Sequence, residues 1–456
     1  MKKLILIFAV LATYITYAQT PPAKTDALGL LKGLVQIDTS NPPGNEIKAA
    51  QYIKAILDRE GIPSEIIEAA PGRASIIARL KGSGAKKPLL LMGHLDVVGV
   101  ERDKWTVDPF AAEVKDGYLY GRGAHDDKGM DAANLSAFLR LHREKVPLDR
   151  DIIFLAEAGE EGTSQYGIDF LVEKHWDKIA CEYALNEGGL FHEVDGKLLY
   201  AGVATTEKVP RGLRVYAHGT SGHGSMPRLD NAITHVAAAV GKIGAWQAPM
   251  RLNETTREFF ARIAKISPPD EAYLYTHLDE PAVQEKLRAG KIFYNSMLRT
   301  SISPTIIRGG FRENVIPADA EATLDVRALP DENMDEFIAS LAKLIDDPEV
   351  HIERRLMGPE RPANPPSSLH NEMFAALERA QAKVFPGSIT VPIMVTGATD
   401  SAQLRSRGVQ AYGIGVPIND EDLRRIHGND ERVSVAGLEK LSEYIYAVAV
   451  EVAGKK

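Results

Sequence analysis

Three short apolar runs, each closing on polar or Gly-rich residues, restrict the fold of this chain more than any other feature. They are LLLMGHLDVV at 89–98, IIFLAEAGEEG at 152–162 and CEYALNEGG at 181–189. Each is too short for an ordinary helix and lacks the polar alternation of a half-exposed strand. Runs of this kind belong in strands buried on both faces, the pattern of a largely parallel sheet. Ligands of such sheets bind beyond the carboxyl ends of the strands. The polar residues that end these runs are therefore the place to look for chemistry.

Helical patterns separate the runs. DALGLLKGLVQI and NEIKAAQYIKAILDREG repeat apolar residues at helical spacing, the second stopping at Gly61. From about residue 206 the texture changes. GLRVYAHGTSG and AEATLDVRAL alternate as half-exposed strands do, and each precedes a helical pattern, NAITHVAAAVGKIGAW and ENMDEFIASLAKLI. With EVHIERR these form a small α+β layer. Residues 249–300 are irregular and helix-biased, PANPPSS reads as a linker, and HNEMFAALERAQAKVF resumes the first texture. A chain of 456 residues suggests about two or three domains. The predicted fold is α/β: a mostly parallel sheet with helices on both faces, built from 26–205 and 359–456 and interrupted at 206–358 by an inserted α+β unit.

The opening MKKLILIFAVLATYITYAQT carries two lysines, an apolar stretch and Ala18 before Gln19. This is the pattern of a secretory signal peptide over residues 1–18, and the apolar stretch is short for a bilayer span. Export to the periplasm or outside the cell is expected, with no membrane attachment after cleavage. The single cysteine, Cys181, allows no intramolecular disulfide, and its apolar surroundings suit a core residue. The formal charge of −8 includes no basic run, which argues against nucleic-acid binding.

His94 and Asp96 close the first run. Residues two apart on a strand share a side, so Asp96 can orient the His94 ring. Glu160 and Glu161 end the second run, Glu187 ends the third, and His427 lies in RRIHGNDERV before the last helical pattern. The stretch GRGAHDDKGM at 121–130 adds His125, Asp126 and Asp127 in a Gly-rich turn. Singly, each has an ordinary explanation: a hydrogen-bonded histidine, a solvated acidic pair, a capped turn. With one aspartate of that turn there are five potential metal ligands at the edge of one sheet, two histidines and three carboxylates, a donor set that suits divalent cations such as zinc. The sequence has no HExxH, GxSxG, CxxC or P-loop pattern, so the chemistries tied to those motifs lack support.

At these residues the chain resembles the M20 family of metallopeptidases and amidohydrolases, which includes glutamate carboxypeptidase, aminoacylase, succinyl-diaminopimelate desuccinylase and carnosinase. GHLDVV, GRGAHDDKG, GEEG, NEGG and HGNDE match its motifs in order and spacing. The resemblance implies two divalent metals, Zn2+ first, with Co2+ or Mn2+ as alternatives. One would take His94, Asp126 and Glu187, the other Asp126, Glu161 and His427, with Asp126 bridging. Asp96 would stand behind His94, Glu160 would be the general base, and the peptide after Asp126 would be cis. His125 would be exposed or set behind the ligands.

The inserted unit resembles the family's lid, which in many members also dimerises, so a homodimer is expected. His223 in TSGHGSMP matches the histidine that stabilises the oxyanion, sometimes from the partner subunit. Asn314 and Arg327 match positions that grip the substrate's carboxylate, with a surface salt bridge as the alternative for Arg327. Gly397 and Thr399 in TGATDS would lie near the substrate backbone. NSMLRTSISPTIIRGGFRENVIP is most similar to the carboxypeptidase S and N-fatty-acyl-amino-acid hydrolase branch. The lid segment is longer than the compact dimerising version, with the excess near 249–300. The implied activity is exopeptidase cleavage of the amide next to a free C-terminal carboxylate in small peptides. N-acyl-amino-acid deacylation is the alternative, and a catalytically silent binding protein the remote one.

Overall fold

The structure, a computed structural model, describes residues 26–355 and 360–455. The expected signal peptide, 1–18, and the expected end of the inserted unit, 358, lie outside the described residues. Among the described residues, no helix is long and apolar enough to cross a membrane.

The three apolar runs become the strands Leu89–His94, Ile152–Glu157 and Tyr183–Asn186. They lie side by side and parallel, and Gln410–Gly413 continues the parallel set. Their residues alternate between two cores. Leu89, Leu91, Ile152 and Phe154 pack with Phe138, Leu441 and Tyr444 on one face. Leu90, Met92, Ile153 and Leu155 pack with Ile168, Leu171 and Leu404 on the other. Both faces are covered by helices, which is why these strands show no polar alternation. The helix Lys128–Arg143 is buried almost all round, so the turn at its start is held from every side.

Outside this centre the sheet is mixed rather than mostly parallel. Ser64–Ala70 pairs antiparallel with Arg73–Leu80, which runs antiparallel to Ile152–Glu157. Leu190–Val194 likewise pairs antiparallel with Lys197–Glu207, which is itself parallel to Ile389–Val395. For Ser64–Ala70 with Arg73–Leu80, and for Leu190–Val194 with Lys197–Glu207, the reason is local. Parallel neighbours need a long crossover, whereas two residues suffice for a hairpin. Asp195 and Gly196, with φ of 49° and 72°, suit a tight hairpin turn.

A second sheet contains Leu213–His218, Ser301–Gly309, Asp319–Ala328 and Val350–Arg354. Asp319–Ala328 alternates buried and less buried residues along its length, and the helices Ala232–Ala245 and Met334–Ile345 bury against it. Residues 249–300 behave differently from this layer. Their helices Glu254–Ile263, Pro269–Thr276, Pro281–Gly290 and Ile292–Met297 share a core with the main sheet. Phe259, Phe260, Leu287 and Met297 pack with Val391, Ile393 and Met394. The excess segment thus forms a wall over one edge of the main sheet.

Candidate metal centre and the pocket beside it

The polar residues beyond the parallel strands converge. His94 ends its strand fully buried, and its Nε2 lies 3.2 Å from Oδ1 of Asp126. His427 approaches from the opposite side, with Nε2 3.1 Å from Oδ2 of the same carboxylate and 2.9 Å from Oε1 of Glu161. Asp126 therefore offers one oxygen to each histidine. Donor atoms of His94, Asp126 and Glu161, and of His94, Glu160 and Glu187, lie within 4.8 Å of one another. The second grouping includes Glu160, so proximity alone does not separate the expected base from the expected ligands. The Asp126–Asp127 peptide is cis, as the resemblance implies.

Neighbouring acids are directed elsewhere. Asp127 is buried behind the cluster, where its Oδ2 accepts the His94 N–H at 3.3 Å. His125 lines the cavity described below. Asp96 lies behind His94, and both its carbonyl and its carboxylate approach the ring. The His94 ring is held by the Asp96 main-chain carbonyl, 2.9 Å from Nδ1, while the nearer carboxylate oxygen is 3.5 Å away. The Asp96 carboxylate also accepts N–H groups of Gly159, Glu160 and Glu161 at 2.9–3.2 Å, and the Asn41 amide at 2.8 Å. Three successive amides thus fan around one carboxylate that also stands 3.5 Å from the His94 ring.

The electrostatics match this crowding. Burial, and then Glu160 and Asp126, push Glu187 well above the usual carboxylate range. Burial and then Asp400 push Glu160 up to about 8. Hydrogen bonds to Asp126 and Glu161 lift His427 to about 10. Burial also works to raise Asp126, but the two histidines outweigh it and hold it far below its ordinary value. Several acids and two imidazoles share one small volume. Divalent cations would let all the acids ionise and both imidazoles stay neutral, so the donor set fits such ions.

The remaining predicted residues lie at two places. His223 is exposed on the short strand Gly222–His223, paired with Val315–Ile316, and its Nδ1 meets Ser225 Oγ at 2.8 Å. The Gly224 N–H donates to the Asn314 carbonyl at 2.9 Å, which brings Asn314 beside this hairpin. Arg327 pairs with Asp325 on its own strand at 2.8 Å, the arrangement foreseen as its alternative. Gly397 is partly exposed in the loop after Ile389–Val395. Thr399 is buried, and its N–H and hydroxyl donate to Glu207 at 3.1 and 2.8 Å. Its side chain braces the loop against the buried Glu207 carboxylate.

Sequence reasoning missed a second layer behind Glu160. Arg361 Nη2 lies 3.6 Å from Glu160 and 3.7 Å from Asp400, and its Nη1 donates to the Thr399 carbonyl at 2.9 Å. Asp400 and Glu157 are buried together, and burial pushes Asp400 up to about 6 despite Arg361. Asp400 sits in the TGATDS stretch already singled out, but Arg361 stands just before the PANPPSS linker, where no motif marks it.

Beside the cluster lies a cavity of about 540 Å³ with Asp126 and Glu187 in its wall. Leu190, Phe293, Ile393, Val395, Ile414 and Val416 give it an apolar stretch, and Asp127, Lys291 and Asp420 add charged groups to its wall. Phe293 and its neighbours come from the helical segment 249–300. Farther along the strand that carries Leu190, polar groups appear: His192 and, paired opposite it, Tyr200.

A carboxylate–histidine cluster beyond the parallel strands of an α/β sheet defines the class: an α/β protein with a candidate centre for divalent metals. Comparison with known proteins specifies the family. Residues 90–451 match the model of peptidase family M20/M25/M40, and the chain belongs to that family as one of its metallohydrolases. It is 29% identical to a probable carboxypeptidase S-like 2 of Dictyostelium discoideum, over 82% of this chain and 73% of that one. It is also 29% identical to the human N-fatty-acyl-amino acid synthase/hydrolase PM20D1, over 91% of this chain and 86% of the relative. Among solved structures, the M20 family metallo-carboxypeptidase Sso-CP2 from Sulfolobus solfataricus superposes with a TM-score of 0.66. That match is 18% identical and covers 93% of this chain and 99% of the other.

Proposed function

We propose that this protein is an exported, dinuclear zinc-type hydrolase that cleaves the amide joining an apolar acyl group to an amino acid. The apolar cavity that opens onto Asp126 and Glu187 carries the choice of substrate. It is more than three times the roughly 150 Å³ that holds a benzene ring in an engineered cavity. It suits a long hydrocarbon chain better than a small polar residue. The human relative named for N-fatty-acyl amino acids supports the same choice. The leader-like residues 1–18 support export.

His94, Asp126, Glu161, Glu187 and His427 would hold the metals, with Asp126 giving one oxygen to each side. Bound there, two divalent ions would polarise the amide carbonyl and acidify a water. Glu160, fixed through its backbone to Asp96, takes the water's proton and hands it to the leaving amine. Such proton transfer is worth about 10²–10⁴ in rate. His223 supplies an N–H to the developing oxyanion when its hairpin covers the site. Arg327 exchanges Asp325 for the carboxylate of the amino-acid half, a swap its planar fork permits.

The second reading is an exopeptidase that places an apolar side chain in the same cavity, supported by the carboxypeptidase names among the relatives. A panel of N-acyl amino acids and dipeptides, offered to the zinc-supplemented protein with a Glu160→Ala blank, separates the two. Release of amino acids from long-chain acyl conjugates above the blank supports the proposal. Release from dipeptides alone moves the assignment to the second reading, and release from neither rejects both.

A further inference from the structure

The metal donors differ in what holds them. His94 ends a central strand, and Glu187 directly follows another. Glu161 is tied to Asp96 through its own backbone. Asp126 and His427 belong to loops, and His427 has the left-handed φ of 60°. One buried ion pair joins those two loops. The Glu431 carboxylate accepts the N–H groups of His125 and Asp126 on one oxygen, at 2.9 and 3.1 Å. Its other oxygen accepts Gly123 N–H at 3.2 Å and Arg122 Nη1 at 2.5 Å. Arg122 then turns its Nη2 to the main-chain carbonyls of His427 and Gly428, at 3.3 and 2.7 Å. Both side chains are almost fully buried, with the Arg122 guanidinium 5.3 Å over the Trp105 ring.

We infer that Arg122 and Glu431 are positioning residues for one half of the metal centre, the half built from Asp126, Glu161 and His427. Breaking their link releases the ion of that half in preference to the other. The inference rests on the two-metal reading proposed above. Its physical basis is that a buried fork of charged hydrogen bonds fixes both loops in one geometry. The other half shares Asp126 but keeps His94 and Glu187, both placed by strands, when the fork is lost, so it loses less. Residues that orient ligands from behind typically change metal affinity about 10–100-fold.

The test is a zinc count by native mass spectrometry, under graded chelator, for the wild type, Arg122→Lys and Glu431→Gln. The lysine variant keeps a cation against Glu431 but cannot also reach the two carbonyls, so it serves if the glutamine variant fails to fold. The expected result is two ions in the wild type, and in the variants one ion weakened about 10–100-fold and the other weakened less. Variants that keep both ions at wild-type affinity, or lose both in parallel, overturn the inference. A wild type that never takes up a second ion overturns the two-metal reading instead.

Discussion

Asp96 follows His94 by only two residues, yet its carboxylate serves Glu160. It accepts the Glu160 N–H at 3.1 Å and those of Gly159 and Glu161 at 2.9 and 3.2 Å, while its backbone carbonyl takes the imidazole. Replacing Asp96 with Asn keeps the carbonyl and removes the charge around which the turn is wrapped. The expected outcome is a fall in kcat of about 10–100-fold with the His94 tautomer unchanged. Steady-state kinetics and the imidazole nitrogen resonances of the zinc-loaded protein check the two halves of that statement.

Arg361 is the cation nearest Glu160 among the contacts observed, at 3.6 Å, and it works to lower a carboxyl that burial and Asp400 raise to about 8. Replacing Arg361 with Gln removes a stabiliser of the charged form, so the Glu160 pKa rises. A base acts only when deprotonated. The acid limb of the kcat–pH profile is therefore expected to move to higher pH in the variant, with the larger loss of activity below neutrality.

The apolar cavity gives the acyl chain a measurable role. Each buried methylene is worth about 0.8 kcal/mol, roughly fourfold in kcat/KM at most. Specificity is expected to climb with acyl length and to level off once the cavity is filled. Leu190→Trp, which narrows the cavity beside the metal donors, is expected to depress long-chain substrates while sparing acetyl conjugates. A kcat/KM series over acyl length in both proteins reads this directly.

Lys208 gives a pH signature of stability. It is buried where its Nζ donates to Ser296 and Ser301 at 3.1 and 2.9 Å, and burial, then Arg327 and Arg299, lower it from 10.5 to about 7. Between those values the unfolded chain binds more protons at this site than the folded one, so its contribution to stability rises with pH. The penalty is full below about 7 and fades toward 10.5. Lys208→Met removes it. The melting-temperature difference, variant minus wild type, is expected to shrink as pH rises through this window, and a difference that does not change with pH contradicts the assignment.

Much of the site is legible in the chain because its donors follow strands, and strands buried on both faces announce themselves as unbroken apolar runs. His94, Glu160, Glu161 and Glu187 are found in this way, and the GRGAHDDKG turn adds Asp126. Strand periodicity places the Asp96 side chain beside His94 but says nothing of its carbonyl, which makes the shorter contact to the ring. The contacts of Arg361, and of the Glu431 that closes HGNDE, are silent for another reason. Their partners are hundreds of residues away, at Glu160 and at the backbone of 123–126, so no local pattern encodes them. Two of the antiparallel pairs are two-residue hairpins, the others join distant strands, and short apolar runs carry no sign of strand direction. The packing of 249–300 on the main sheet is likewise invisible to helical periodicity, which shows an apolar face without naming what covers it.

The most direct measurement is a zinc titration of chelator-stripped protein, following hydrolysis of a long-chain N-acyl amino acid. Activity is expected to be absent in the stripped protein, to reach its plateau at two equivalents, and to stay absent throughout in Glu160→Ala. Full hydrolysis by the stripped protein, or wild-type rates in the alanine variant, would contradict the dinuclear mechanism with Glu160 as its base.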